Sequence, residues 1–160
     1  DSDIDAYLAT LKVGGSTYHD IGMLWAARLV APTGLFADDN ADLNPSQPTS
    51  RHIVFMTDGQ TSALDLSYTA YGFEPLDRRR WSPGSARNLT QTIEDRFAFI
   101  CEEAKKRNIT VWVVAYGTEL NPMFEACAGP GRAFQADDGD ELAEAFTKIA
   151  NAIADLRLVQ

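Results

Sequence analysis

His52-Ile-Val-Phe-Met-Thr-Asp58-Gly59-Gln60 runs four apolar residues into a threonine, a carboxylate and a glycine. The apolar run reads as a strand buried on both faces, as in a parallel sheet. The Thr-Asp-Gly at its end reads as the tight turn where open α/β sheets hold ligands. Asp58 therefore stands where metal binding or chemistry is expected. Upstream, Gly14-Gly15-Ser16-Thr17 precedes a helical pattern and can bring a second oxygen toward Asp58 from a neighbouring loop. A threonine and an aspartate on separate loops suit a hard cation such as Mg2+.

Working outward, Ile4, Tyr7, Leu8 and Leu11 predict a short amphipathic helix with Ser2 or Asp3 as its N-cap. Ile21, Leu24, Trp25, Arg28 and Leu29 repeat with helical period until Pro32 and Gly34. Residues 37–50 read as an exposed loop. Gln60 to Ser85 has no sustained period and reads as an insertion carrying Tyr68, Tyr71, Phe73 and Trp81. A helix follows over 87–107 on Leu89, Ile93, Phe97, Ile100 and Ala104, with Asn108 closing it. Then come a β-branched strand over 109–116, a short helix from Asn121-Pro122 through Cys127, a brief edge strand at Ala133-Phe134, and an amphipathic helix over 138–156. That order predicts one domain over residues 1–160: an α/β, doubly wound, mostly parallel sheet.

With 23 acidic against 14 basic residues and a formal charge of −9, the chain has no nucleic-acid footprint and little affinity for anionic lipid. Arg78-Arg79-Arg80 reads as a solvated or ion-paired loop. No apolar run approaches the length of a membrane span. Cys101 and Cys127 fit no metal spacing. In an exported protein they would close a disulfide loop of about 25 residues, a stabilisation of roughly 3 kcal/mol; in a cytosolic one they would be small core residues. His19 and His52 read as satisfied structural side chains, and Asp20 and Gln60 as solvated ones.

These pieces together resemble a von Willebrand factor type A domain: Gly14-Gly15-Ser16-Thr17 opening a helix, the Ile53 to Gly59 strand end, Val111-Trp-Val-Val-Ala-Tyr-Gly117, and the closing helix. Thr17-Tyr-His-Asp-Ile-Gly-Met-Leu-Trp25, the Tyr71-Gly72 insertion, the two cysteine segments and the ending Phe146 to Leu158 are most similar to the TadG-type proteins of bacterial Flp/Tad pilus assembly. The resemblance implies a metal-ion-dependent adhesion site in which Thr17 and Asp58 help hold Mg2+ or Mn2+ and a partner's acidic group completes the shell.

The D-x-S-x-S loop of such sites has no counterpart here; Asp1-Ser2-Asp3 is not that motif. The domain is therefore expected to lack its N-terminal part, to hold metal only if that loop is supplied, and to expose apolar sheet edges open to homodimerisation or strand exchange.

The expected function is non-enzymatic: a protein-binding, adhesion or assembly module of a bacterial cell envelope, periplasmic or extracellular, in a membrane-anchored parent, with a pilus or envelope protein as partner. Tyr71 and Trp81 are the candidate partner-binding residues. The alternative is a Mg2+-dependent hydrolase or phosphotransferase using Asp58. No nucleophile paired with a base and no phosphate-cradling loop supports it. The bland readings are Asp58 as a turn-former bonding its own backbone and Thr17 as a helix N-cap.

Overall fold

A computed structural model describes residues 2–12, 14–42, 44, 46 and 49–158, with side chains from 3 to 154. The elements follow the expected order: α1 (Ser2–Leu8), α2 (His19–Val30), β1 (Arg51–Thr57), a 3-10 turn (Glu74–Leu76), α3 (Leu89–Lys106), β2 (Ile109–Tyr116), α4 (Pro122–Ala128), β3 (Ala133–Ala136) and α5 (Gly139–Leu158). The sheet is open and all parallel, in the order β1-β2-β3. Helices flank it on both faces, the arrangement of a Rossmann-like α/β fold.

β2 is the strand buried on both faces. Val111 and Val113 point into a core built with Met23, Phe97 and Phe124, while Trp112 and Val114 pack under Ile149 of α5. β1 was expected to be buried in the same way and is not. Ile53, Phe55 and Thr57 face the core, but Val54 and Met56 stand exposed on the other side. The cause is position: α5 covers β2 and β3, and β1 lies at the sheet's edge.

α2 forms where the helical period predicts it, and its buried side carries His19, Asp20 and Met23, with Ala26, Ala27 and Val30 packed beside them. Small residues bring the helix close to β1, where a Cβ added at Gly22 would already touch Phe55 at 3.7 Å. Trp25 and Leu29 consequently face outward. α1 likewise leaves Ile4, Tyr7, Leu8 and Leu11 exposed. α1 begins at Ser2, so Ser2 and Asp3, the expected N-caps, lie within the helix.

α3 starts on a capping box the sequence reading missed: Asn88 Oδ1 accepts from the Gln91 N–H at 2.8 Å, and Gln91 Oε1 accepts from the Asn88 N–H at 3.1 Å. It ends at Lys106, and Asn108 takes the left-handed conformation one residue beyond the cap, with φ 57°. On α5 the buried residues are Ala145 and Ile149, whereas Phe146, which the helical period also places on the apolar face, is 42% exposed.

Cys101 on α3 and Cys127 on α4 are bonded, with Cα atoms 5.2 Å apart, and both are buried in the main core. The bridge ties the two helices that cover one face of β2. For the 26-residue separation, chain entropy gives about 3.5 kcal/mol of stabilisation. Reduction, or the double substitution Cys101→Ala and Cys127→Ala, is expected to lower the free energy of unfolding by about that amount. Urea titration with and without dithiothreitol measures it.

Candidate functional site at the carboxyl rim of the sheet

β1 ends at Thr57, and the turn after it is held by hydroxyl and imidazole groups. Thr57 Oγ1 donates to the Gly59 carbonyl at 3.0 Å and accepts the Gly59 N–H at 3.3 Å. His19, at the start of α2, places Nε2 at 3.0 Å from Thr57 Oγ1 and Nδ1 at 2.9 Å from Thr61 Oγ1. Since the Thr57 proton goes to Gly59, the assignment that satisfies every group puts the imidazole proton on Nε2, and Nδ1 accepts from Thr61. The ring is buried among Phe55, Phe97 and Phe124, with centroids 5.2 to 5.9 Å away. Burial lowers its pKa below the usual imidazole value against the opposing pull of the Gly59 carbonyl. His19 is thus a satisfied structural side chain, as its sequence context suggested.

That arrangement has a consequence for Asp58. The turn-forming role expected of an Asp before Gly belongs to Thr57 instead, and the Asp58 carboxylate is exposed, engaged by no hydrogen bond or ion pair among the described residues. Thr17 is brought to the same rim by backbone pairing: its N–H donates to the Ser62 carbonyl at 2.9 Å and its carbonyl accepts the Ser62 N–H at 3.1 Å. Tyr18, not Thr17, occupies the cap position of α2, and no side chain caps that helix.

Gln60 is exposed, as expected, but it is also firmly bonded. Its Nε2 donates to Thr118 Oγ1 at 3.0 Å and to the Glu119 carbonyl at 2.9 Å, and its Oε1 accepts from Asn121 Nδ2 at 2.6 Å. It thereby joins the end of β1 to the loop that follows β2. The rim offers a connected polar surface. A shallow cavity of about 340 Å³ opens beside Thr17, with Gly15, Ser16, Tyr18 and Tyr68 in its wall.

Residues 63–81 form a strap over the α2 and α3 side. Its anchor is Glu74, fully buried, whose carboxylate accepts two bonds from the Arg96 guanidinium of α3 at 2.7 and 3.1 Å. Asp20, expected to be solvated, is also fully buried, 3.6 Å from the same guanidinium. Burial drives its pKa up to about 6 despite Arg96 and the Ile21 N–H, which pull it down.

Tyr71 and Trp81, the candidate partner-binding residues, serve the strap itself. The Tyr71 ring lies against the guanidinium groups of Arg80 and Arg96, at 5.7 and 5.1 Å, and Arg80 donates to its carbonyl. Trp81 is buried on Leu89 and Ile93, with Nε1 donating to the Arg87 carbonyl at 3.0 Å. The strap's outward surface is made instead by Leu66, Tyr68 and Leu76, 76, 80 and 81% exposed, together with Leu64 and Phe73.

Among the described residues no group of three or more His, Cys, Asp or Glu side chains could hold a metal ion. Thr17 pairs with Ser62 just beyond the end of β1 and Asp58 stands exposed at that end; two oxygen donors alone would not complete a Mg2+ shell. Nor is any described helix long and apolar enough to cross a membrane. The fold and rim define an α/β protein with a polar surface at the carboxyl ends of an open parallel sheet. Compared with family models, curated proteins and solved structures, the chain finds no match.

Replacing His19 with leucine keeps ring-sized bulk in the core but removes the bonds to Thr57 and Thr61. His19→Leu is expected to cost about 1–3 kcal/mol of stability, read by urea unfolding.

Proposed function

We propose that the chain is a non-enzymatic protein-docking module whose contact surface is the carboxyl rim of the sheet with the adjoining strap. One observation carries the reading: Asp58 stands exposed and unengaged at the end of β1 because Thr57 and His19 hold the turn in its place. A carboxylate relieved of structural work, at the position where open sheets bind ligands, is free for an external group.

The exposed Leu66, Tyr68 and Leu76 of the strap give a partner nonpolar area to cover. The quoted sequence segments support a finer reading, a domain similar to the von Willebrand factor type A modules of TadG-type pilus-assembly proteins. In that reading Thr17 and Asp58 contribute two oxygens toward Mg2+ or Mn2+, and further donors come from a D-x-S-x-S loop. The bound ion would attract an acidic group of an envelope or pilus protein. The Cys101–Cys127 bond favours an oxidising compartment, periplasmic or extracellular.

Isothermal titration of Mg2+ and Mn2+ into the chain extended at its N-terminus by a strand and a D-x-S-x-S loop tests the metal reading. Binding is expected, and Asp58→Ala and Thr17→Ala each weaken it at least about tenfold, equivalent to about 1.4 kcal/mol, without turnover of phosphoesters. Turnover that Asp58→Ala abolishes would replace docking with a Mg2+-dependent hydrolase.

A further inference from the structure

The charged anchor of the strap, Glu74, sits in an interior overloaded with charge. Two carboxylates, Asp20 from α2 and Glu74 from the strap, are both fully excluded from solvent and share Arg96. The sharing is unequal: Glu74 takes two short bonds from the guanidinium, while Asp20 stands 3.6 Å away. Among the described residues Asp20 Oδ2 has no hydrogen-bond partner. Arg80 adds a second cation on the Glu74 side at 3.6 Å, with its own Nε unsatisfied. A buried carboxylate oxygen without a donor is costly as an anion and much less so as an acid.

We propose that the strap is a pH-responsive latch: a proton taken up by Asp20 leaves Arg96 to Glu74 alone and tightens the strap onto α2 and α3, and loss of that proton loosens it. Undocking removes Glu74 from the pocket and lets water reach Asp20, so the open strap favours the ionised carboxylate. The latch is read from the charge cluster and does not rest on the docking function proposed for the rim.

The groups acting on Asp20 come from three sides. Arg96 on α3 favours its anion, Glu74 on the strap opposes it, and the Ile21 N–H donates to Oδ1 at 2.9 Å. Tyr18 and Tyr71 are near enough that Asp20, after burial, helps hold both phenols above their usual value, and Arg28 acts on Tyr71 from the outer side of α2. The neighbouring His19 is turned into the aromatic core and bonded to Thr57 and Thr61.

The sign follows from linkage. The docked value, about 6, lies above the ordinary aspartate value of 3.8. The stabilisation from a protonated Asp20 is therefore full below the ordinary carboxylate range and is lost as pH rises through about 6. With the open strap at the ordinary value, the opening equilibrium rises about tenfold between roughly pH 5 and 7.

Amide hydrogen exchange measures this directly. The N–H groups of Leu76, Asp77 and Arg80 bond to Phe73, Glu74 and Asp77 carbonyls within the strap, at 3.1, 3.3 and 2.9 Å. Those of Val113 and Val114 in β2 serve as the reference. After correction for intrinsic exchange, the strap amides are expected to open about tenfold more readily at about pH 7 than at pH 5 while β2 does not change.

Asp20→Asn should give slow strap exchange at both pH values, and Glu74→Gln fast exchange at both, with β2 still protected. A flat wild-type profile, a slope that persists in Asp20→Asn, wild-type protection in Glu74→Gln, or a slope shared equally by β2 would each overturn the latch.

Discussion

A neutral imidazole held between two threonine hydroxyls is the constraint on which the rim of this protein depends. His19 reaches from the first turn of α2 to the last residue of β1 and to Thr61 beyond the turn, so helix, strand and loop meet in one buried set of bonds. The surrounding phenylalanine rings exclude water, which strengthens the hydrogen bonds and disfavours the imidazolium. Because Thr57 supplies both an acceptor and a donor to Gly59, the turn needs nothing from Asp58. An exposed carboxylate is the result.

The second organising element is the charge cluster beneath the strap. A segment of nearly twenty residues whose backbone-to-backbone bonds close only short turns within itself is not tied to the helices by those bonds, and its position must be set by side chains. Trp81 supplies the apolar part by packing on α3; Glu74 supplies the directional part through two bonds to Arg96. Breaking one partner of such a pair leaves an uncompensated buried charge, so the pair specifies geometry more surely than it adds net stability. With Trp81 buried and Tyr71 half-buried against Arg80 and Arg96, the strap presents leucines and Tyr68 outward.

Much of this architecture was legible in the sequence. Element order, the parallel sheet and the break at Thr57-Asp58-Gly59 follow from β-branched runs, glycines and the 3.6-residue period. The pairing of Cys101 with Cys127 could not be separated from two free thiols on spacing alone. Periodicity placed α2 but failed to show its buried side: Trp25 and Leu29 face outward while Ala26 and Ala27 lie against the core. Residue size, not hydrophobicity alone, chose the buried side.

It failed also on Asp20, Glu74 and Arg96, because nothing in a linear sequence brings a loop glutamate 22 positions away onto a helical arginine. Aromatic composition marked the strap as notable. It did not tell which rings would be swallowed by their own domain.

The claim that Thr57, and not Asp58, holds the end of β1 is tested by comparing unfolding free energies of Thr57→Val and Asp58→Ala with the parent chain. Thr57→Val should lose about 1–3 kcal/mol, since it strips a partner from His19 and both bonds to Gly59. Asp58→Ala should stay within about 0.5 kcal/mol of the parent. A loss in Asp58→Ala equal to that in Thr57→Val would return the carboxylate to a structural role and contradict its availability for binding.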